Sequence, residues 1–260
     1  MNKYQVGYLL CAGMLLWLFA CKNQPAPSSG FKVETMSFNR RYCVNDNQCV
    51  DIIVMYPSIT GGDSASMAKF KGVLDNYMIN LVGGPSNVPF EPSISSAADM
   101  LVEGFISYKR HHLDYMGNWI EQLVTDIPLI NTRIATAEMS VTMNATPGSE
   151  YSLRHLKTYD FQLARFLTIA DIIPDTAAFR PLLEKHLCQT LGLNAIGELK
   201  TKIHSNYDAP PMPFHVSILP EGLHIAYNWF ELSTEKIPTT DFRLTWEQLG
   251  LLADKKRWIP

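Results

Sequence analysis

The N-terminal segment limits how much of this 260-residue chain can fold as a domain. Lys3 is followed by an apolar run from Val6 to Ala20, directly before Cys21. A run of about 15 residues is too short to cross a bilayer core comfortably, and a charged start with small residues at its end is typical of a secretory signal. The sequence therefore predicts a signal peptide over 1–20, a short tether over 21–30 and a folded domain over 31–260.

The end of this segment, Leu18-Phe19-Ala20-Cys21, resembles the bacterial lipobox. The resemblance implies cleavage before Cys21 and attachment of lipid, including acyl chains such as palmitate, to that cysteine. The membrane is then the first expected partner, and the mature lipoprotein lies in the cell envelope, facing away from the cytoplasm. Lys22 in place of aspartate favours sorting to the outer membrane, with the periplasmic or surface face left open.

Composition narrows the function classes. The net charge is −3 and the pI is about 6.2, whereas nucleic-acid binding needs a clustered basic face. The closest approach to such a face is Lys109-Arg110-His111-His112, so we expect no nucleic-acid partner. With 47% hydrophobic and 18% charged residues, the chain is of the globular class.

The cysteines that remain after the signal and the lipid site are few. Cys43 and Cys49 enclose the turn-forming residues 45–47 between two predicted strands, which favours a cross-strand disulfide. Two reduced thiols in an edge hairpin are one alternative, and a metal pair is another. Cys188 lies in an apolar helical stretch and is expected to be a buried small hydrophobe.

Hydrophobic periodicity predicts an α+β fold in which an antiparallel sheet packs against two pairs of helices. We divide the domain into an N-terminal half, 31–150, and a C-terminal half, 151–260. The predicted strands are Lys32–Tyr42, Cys49–Tyr56 (stopped by Pro57), Trp119–Ile127, Thr132–Met143, Tyr151–Asp160, Phe214–Leu219, Leu223–Phe230 and Phe242–Leu244. The predicted helices are Ala65–Val82, one that begins at Ser95 or Ser96, Ala177–Leu191, Asn194–Ser205 and Trp246–Leu252.

Three short motifs carry a resemblance to a known family. They are Tyr159-Asp160-Phe161-Gln162 with the following Phe166–Ile173, the hairpin segment Glu221–Leu232, and the closing strand and helix Phe242–Leu249. Together they resemble the extracytoplasmic domain of unknown function found in the anti-sigma factor RsiV and in the N-terminal region of the deacetylase PdaC. The resemblance covers roughly Phe31 to the end and implies the same fold. It implies a lysozyme-like protein or a peptidoglycan glycan as the binding partner.

The chain departs from that family in one loop. Family members carry Tyr-x-Gly-Gly-Ala-His between their central strands, whereas this chain has Asn144-Ala145-Thr146-Pro147-Gly148-Ser149-Glu150-Tyr151. Because the glycine pair and the histidine are missing, no binding role of that loop is carried over.

A search for catalytic motifs finds no nucleophile elbow, phosphate loop or zinc-binding helix pattern, and no motif that predicts a cofactor. His111 and His112 are adjacent on a helix and point about 100° apart, so a polar helix end explains them better than a shared metal. The pairs Glu231 with Glu235 and Glu34 with Asp51 cannot be placed face to face from sequence. The remaining histidines are interpreted as isolated structural residues: His155, His186, His204, His215 and His224.

Tyr227 and Trp229 are the candidate binding residues. Strand alternation places both on one face of the closing hairpin, with Phe230 on the other, so one face could form a platform for sugar or protein. Core packing is the alternative for the same rings. Ser64 and Thr176 lie in Asp-Ser/Thr-Ala motifs that resemble bacterial O-glycosylation sites, although helix caps are expected at the same positions.

The sequence therefore supports a lipid-anchored envelope protein without catalytic, metal or cofactor residues. The first hypothesis is a non-catalytic binding module. The alternative is a cell-wall polymer hydrolase or deacetylase.

Overall fold

The computed structural model describes residues 30–45, 48–83, 93–114, 117–144, 150–203, 209–233 and 239–260. The predicted signal peptide, most of the predicted tether and Cys21, the predicted lipidation site, lie outside these ranges, as do residues 145–149 of the loop that departs from the family pattern. None of the described helices is both long and apolar enough to span a membrane.

Six strands form the first sheet in the order of the sequence: β1 (Lys32–Asn45), β2 (Gln48–Thr60), β3 (Trp119–Ile130), β4 (Ile134–Asn144), β5 (Tyr151–Asp160) and β6 (Arg165–Phe166). Neighbours are antiparallel except β2 and β3, which are parallel. A parallel pair needs a crossover, and helices α1 (Ser64–Gly83) and α2 (Ile94–His111) supply it. The sheet continues across residue 150, where the two sequence halves meet.

The two crossover helices cover one face of this sheet and enclose the first core. Fully buried side chains from both helices meet side chains of the central strands, among them Phe70, Phe105, Leu123, Met139 and Tyr159. α2 begins one or two residues earlier than predicted, because Ser93 accepts a hydrogen bond from the Ser96 amide and caps the helix. The first helix pair is therefore placed as the periodicity predicted.

Three strands form a second sheet, which the prediction of a single sheet missed: β7 (His215–Leu219), β8 (Gly222–Tyr227) and β9 (Thr240–Thr245), all antiparallel. One face of this sheet packs against the helices that precede it and forms a second core with them. The helices contribute the buried side chains of Phe179, Leu183 and Leu187 to this core. Those helices are α3 (Ile169–Ile172), α4 (Thr176–Thr190) and α5 (Ile196–Lys202). The remaining helical segments are α6 (Trp229–Leu232), α7 (Trp246–Leu249), a 3₁₀ turn (Gly250–Leu252) and α8 (Lys255–Trp258).

The two sheets meet along a polar seam, where β7 packs against β5 and β4. The Thr136 hydroxyl donates to the Ile218 carbonyl at 2.8 Å, and the Ile218 amide donates to the Thr158 hydroxyl at 2.9 Å. The Asn228 side chain accepts from the Arg154 amide at 2.8 Å and donates to its carbonyl at 3.1 Å. Buried polar groups are costly unless paired, so these bonds fix how the second sheet sits on the first.

The first hairpin contains the Cys43–Cys49 disulfide, in the register that places these two residues opposite one another. Closing so short a loop contributes about 2 kcal/mol in the chain-entropy view. Pro57 does not stop β2 as predicted; the strand continues to Thr60. The pairing of β2 with β3 ends at Met55, so the missing N–H of Pro57 leaves no β3 partner unsatisfied.

Candidate functional site

The predicted anchor Tyr227 is not exposed. Its side chain is 1% accessible, and its hydroxyl donates to the Pro211 carbonyl at 2.7 Å. The predicted alternation past Tyr227 is also wrong, because β8 ends there and Asn228 begins α6 with a capping box to Glu231. Tyr227 belongs to the second core, as the alternative interpretation held, and Trp229 is half-buried on a helix.

The exposed aromatic residues of this region are Phe214 and Phe230, at 70% and 48% accessibility. The Trp229 and Phe230 rings contact edge to face, with centroids 5.5 Å apart. We call Phe214, Trp229 and Phe230 the aromatic rim. Phe214 precedes His215 and Phe230 precedes Glu231, so the rim flanks two residues whose side chains meet.

Five side chains form a histidine cluster beneath the rim: Tyr77, His155, Lys157, His215 and Glu231. The Tyr77 hydroxyl lies 3.1 Å from His155 Nδ1, and the His155 and His215 rings meet edge to face at 4.8 Å. His215 Nε2 lies 3.0 Å from Glu231 Oε1, with both side chains about nine-tenths buried. Lys157 Nζ donates to the Phe214 carbonyl at 3.1 Å. The cluster thus joins α1, β5, β7 and α6 at the seam.

Burial sets the protonation of this cluster. Burial, reinforced by His215, lowers the pKa of His155 to about 4, so its ring is neutral at pH 7. Burial, with the charge of Glu231, raises the pKa of Tyr77 to about 12, and burial also lowers the pKa of Lys157. His155 Nε2 and His215 Nδ1 are buried without a hydrogen-bond partner among the described residues.

A second histidine–glutamate pair lies in the same seam. His224 Nδ1 is 2.9 Å from Glu138 Oε1, and the Ser217 hydroxyl donates to the same oxygen at 2.6 Å. Although burial opposes it, these two hydrogen bonds lower the pKa of Glu138. Because Ser217 and His224 both bind the carboxylate, this arrangement is not a Ser–His–acid relay.

The prediction that His155 and His215 are isolated is therefore wrong, and His204 lies outside the described residues. His155 and His215 are 60 residues apart in the sequence, and only the packing of β7 beside β5 brings them together. The alternation of apolar residues around each of these histidines is the same as in any core strand. No local signal in the sequence marks such a pair.

The other residues that the sequence analysis singled out have structural roles or lie away from the histidine cluster. Asp63 and Asp175 each accept a hydrogen bond from the backbone amide three residues on, so the expected helix caps are present, and Ser64 and Thr176 are the first residues of α1 and α4. O-glycosylation of Ser64 and Thr176 stays a prediction. His111 bonds the Ser107 carbonyl and His112 stacks on Tyr108, as expected of a polar helix end. Cys188 is buried, as predicted.

The carboxylate pairs do not assemble a site. Asp51 lies opposite Arg41 on β1, whereas Glu34 lies opposite Ser58, seven residues further along the hairpin. Glu235 lies outside the described residues. Within the described ranges, no group of three or more histidine, cysteine, aspartate or glutamate side chains is placed to hold a metal ion.

A cavity of about 480 Å³ lies between α4, α5 and β9. Its described lining is mainly apolar and threonine, with one lysine and one aspartate: Thr190, Leu191, Leu193, Lys202, Thr239, Thr240 and Asp241. These charges are of opposite sign and solvent-exposed, so they define no ligand class.

Two solved structures share this arrangement of sheets and helices. One, from Bacteroides fragilis, is described as a member of the DUF3298 family; it is 14% identical, with a TM-score of 0.62 over 87% of this chain and 95% of that one. The other, a DUF3298 family protein from Pseudomonas aeruginosa PAO1, is 12% identical, with a TM-score of 0.56 over the same shares.

This chain has their fold. Neither description names a ligand or an activity, and fold alone does not fix function. No protein-family model matches the sequence, and no curated protein matches it significantly.

Proposed function

We propose that this chain is a lipid-anchored envelope protein that binds another envelope protein through the aromatic rim, without catalysing a reaction. The observation that carries the proposal is the exposure of Phe214 and Phe230, which precede the paired residues His215 and Glu231, together with the half-buried Trp229 in contact with Phe230. Large aromatic side chains contribute strongly to protein–protein affinity when a partner desolvates them. A lysozyme-like protein is the partner that the family resemblance suggests.

The polar groups beside the rim favour a protein over a glycan as the binding partner. Glycan recognition needs free donors and acceptors next to the aromatic platform. Here both Glu231 oxygens are engaged, one by His215 and the other by the Asn228 amide at 2.6 Å. Phe214 and Phe230 have no polar atoms on their side chains. The rim therefore offers apolar contact area with few free hydrogen-bonding groups.

The full-length protein in detergent should bind a lysozyme, and Phe214→Ser with Phe230→Ser should weaken that binding by at least about 30-fold, because each aromatic anchor contributes roughly 1–3 kcal/mol and two anchors therefore contribute at least about 2 kcal/mol. Leu251→Ser is the matched control, since it removes a fully exposed apolar side chain at another site. Affinities are measured by calorimetry, and folding of each variant is checked by circular dichroism.

Equal affinities of the rim variant and the control would show that the rim is not the binding surface. Co-sedimentation with purified peptidoglycan, but no lysozyme binding, would favour the glycan instead. Release of sugar or acetate from that peptidoglycan would replace the binding module with the hydrolase or deacetylase alternative.

Membrane attachment is proposed from the sequence resemblance alone, and one variant tests it. Cys21→Ser should abolish acyl labelling and release the protein from membranes, because a single thiol is the expected attachment site. Fractionation after labelling with a palmitate analogue measures both effects. Unchanged membrane retention of the variant would contradict the lipid anchor.

A further inference from the structure

The histidine cluster connects the two segments that carry the aromatic rim. The His215–Glu231 contact at 3.0 Å ties β7 to α6, and the Lys157 ammonium holds the Phe214 carbonyl at 3.1 Å. The first contact joins the residues that directly follow Phe214 and Phe230, and the second bond ends on Phe214 itself. A change in the cluster therefore acts directly on the spacing of the rim.

The surroundings of His155 disfavour protonation of its ring. The titratable groups that face it are Tyr77 from α1, Lys157 from its own strand, His215 from β7 and Glu231 from α6; its neighbour on β4 is the neutral Met139. Glu231 is the only carboxylate among them, and it is already bonded to His215. A proton on His155 would place a buried positive charge beside the His215 ring and the Lys157 ammonium.

We propose that acidification opens the aromatic rim by protonating His155, so that a bound partner is released at acidic pH. This inference deepens the proposed function and rests on it for the partner, although the opening itself is a property of the chain alone. In the closed cluster His155 takes up a proton only near pH 4, whereas a solvated histidine does so near pH 6.5. Between these values the opened form binds the proton more tightly, so a fall in pH favours it.

The size of the effect follows from the same difference. A gap of about 2.5 pH units between the two forms lowers the ratio of closed to open rim by up to about 100-fold between pH 7 and pH 4. Tyr77 packs against the first core as a partly buried side chain, but none of the cluster residues is among the buried residues that form either core, so the fold as a whole need not unfold.

Trp229 provides a probe of the rim that needs no partner. The full chain is labelled with 5-fluorotryptophan in detergent, and the Trp229 resonance is assigned with Trp229→Phe. We expect this ¹⁹F resonance to move towards its solvent-exposed position as the pH falls from 7 to 4. His155→Gln should abolish the change. His186→Gln is the matched control, because His186 is also a half-buried histidine, stacked on Phe242 and away from the cluster.

Three outcomes would overturn the proposal: a Trp229 resonance that stays constant from pH 7 to pH 4, an unchanged transition in His155→Gln, or its loss in His186→Gln. Should His155→Gln fail to fold, the histidine ¹³C resonances of the wild type give a direct test, since a His155 midpoint near 6.5 would contradict the closed cluster. Lysozyme binding without a rim transition would refute only the regulation. A rim transition without lysozyme binding would leave the regulation and refute the partner.

Discussion

Replacing Glu121 by glutamine should raise the free energy of unfolding at pH 8 by about 4 kcal/mol. Glu121 lies on the central strand β3 between Ile52 and Met143, is 1% accessible, and has no hydrogen-bond partner among the described residues. Burial raises the pKa of this carboxyl to about 8. Folding at pH 8 therefore carries the cost of keeping the carboxyl neutral or of burying its charge, and glutamine removes that cost.

The sign of the pH dependence follows from proton binding. The unfolded carboxyl loses its proton near pH 4.5, whereas the folded one holds it to about pH 8. The folded state binds more protons in this window, so stability falls as the pH rises from 4.5 to 8. His155 acts in the opposite direction below pH 6.5, so urea melts between pH 6.5 and 8.5 isolate Glu121.

Over that range we expect the wild type to lose about 2 kcal/mol and Glu121→Gln to stay level. Asp126→Asn is the matched control, because Asp126 lies on the same strand but is exposed to solvent. If the free energies of unfolding of wild type and Glu121→Gln change equally with pH, ionisation of Glu121 does not destabilise the fold.

Trp258→Ala should lower the free energy of unfolding by about 3 to 5 kcal/mol, because it opens a large cavity in the second core. Trp258 is completely buried only two residues from the C terminus. Its carbonyl accepts from the Asn131 side chain at 3.0 Å, and the Arg257 guanidinium stacks over its ring at 4.3 Å. The last helix is thereby fastened to the hairpin between β3 and β4.

Thermal and urea melts of Trp258→Ala are compared with those of Trp258→Phe. Phenylalanine keeps an aromatic ring in the site and removes an indole N–H that is buried without a partner among the described residues. Trp258→Phe should therefore lower the free energy of unfolding by less than half as much as Trp258→Ala. If both variants melt like the wild type, the C-terminal helix does not contribute to the core as the structure indicates.

Local patterns predicted most individual elements. Tyr151–Asp160 was predicted with its observed ends, and the long helix α1 was predicted within one residue, because each has an uninterrupted period and clear breakers on both sides. Errors arose where a side chain overrode the pattern. The apolar run after Gly222 continues to Phe230, but the Asn228 and Glu231 capping box turns its last part into a helix.

Pairing between distant segments could not be predicted. The parallel β2–β3 pair depends on two strands that meet across a chain segment of more than 50 residues, and the position of β7 beside β5 likewise joins strands that are far apart in the sequence. The histidine cluster depends on that same packing. Its members span Tyr77 to Glu231, and no spacing between them is typical of a known motif. The exposure of Phe214 has no signal in the sequence, because a phenylalanine beside a strand is usually a core residue.

The side chain of Asn228 also bears on solubility. Strands at the edge of a sheet expose amide and carbonyl groups that can recruit a strand of another molecule and start aggregation. Beyond its short pairing with β6, β5 would present such an edge, but Asn228 occupies the backbone groups of Arg154 and the Thr239 hydroxyl donates to the Ser152 carbonyl. This edge is thereby closed to strands of neighbouring molecules.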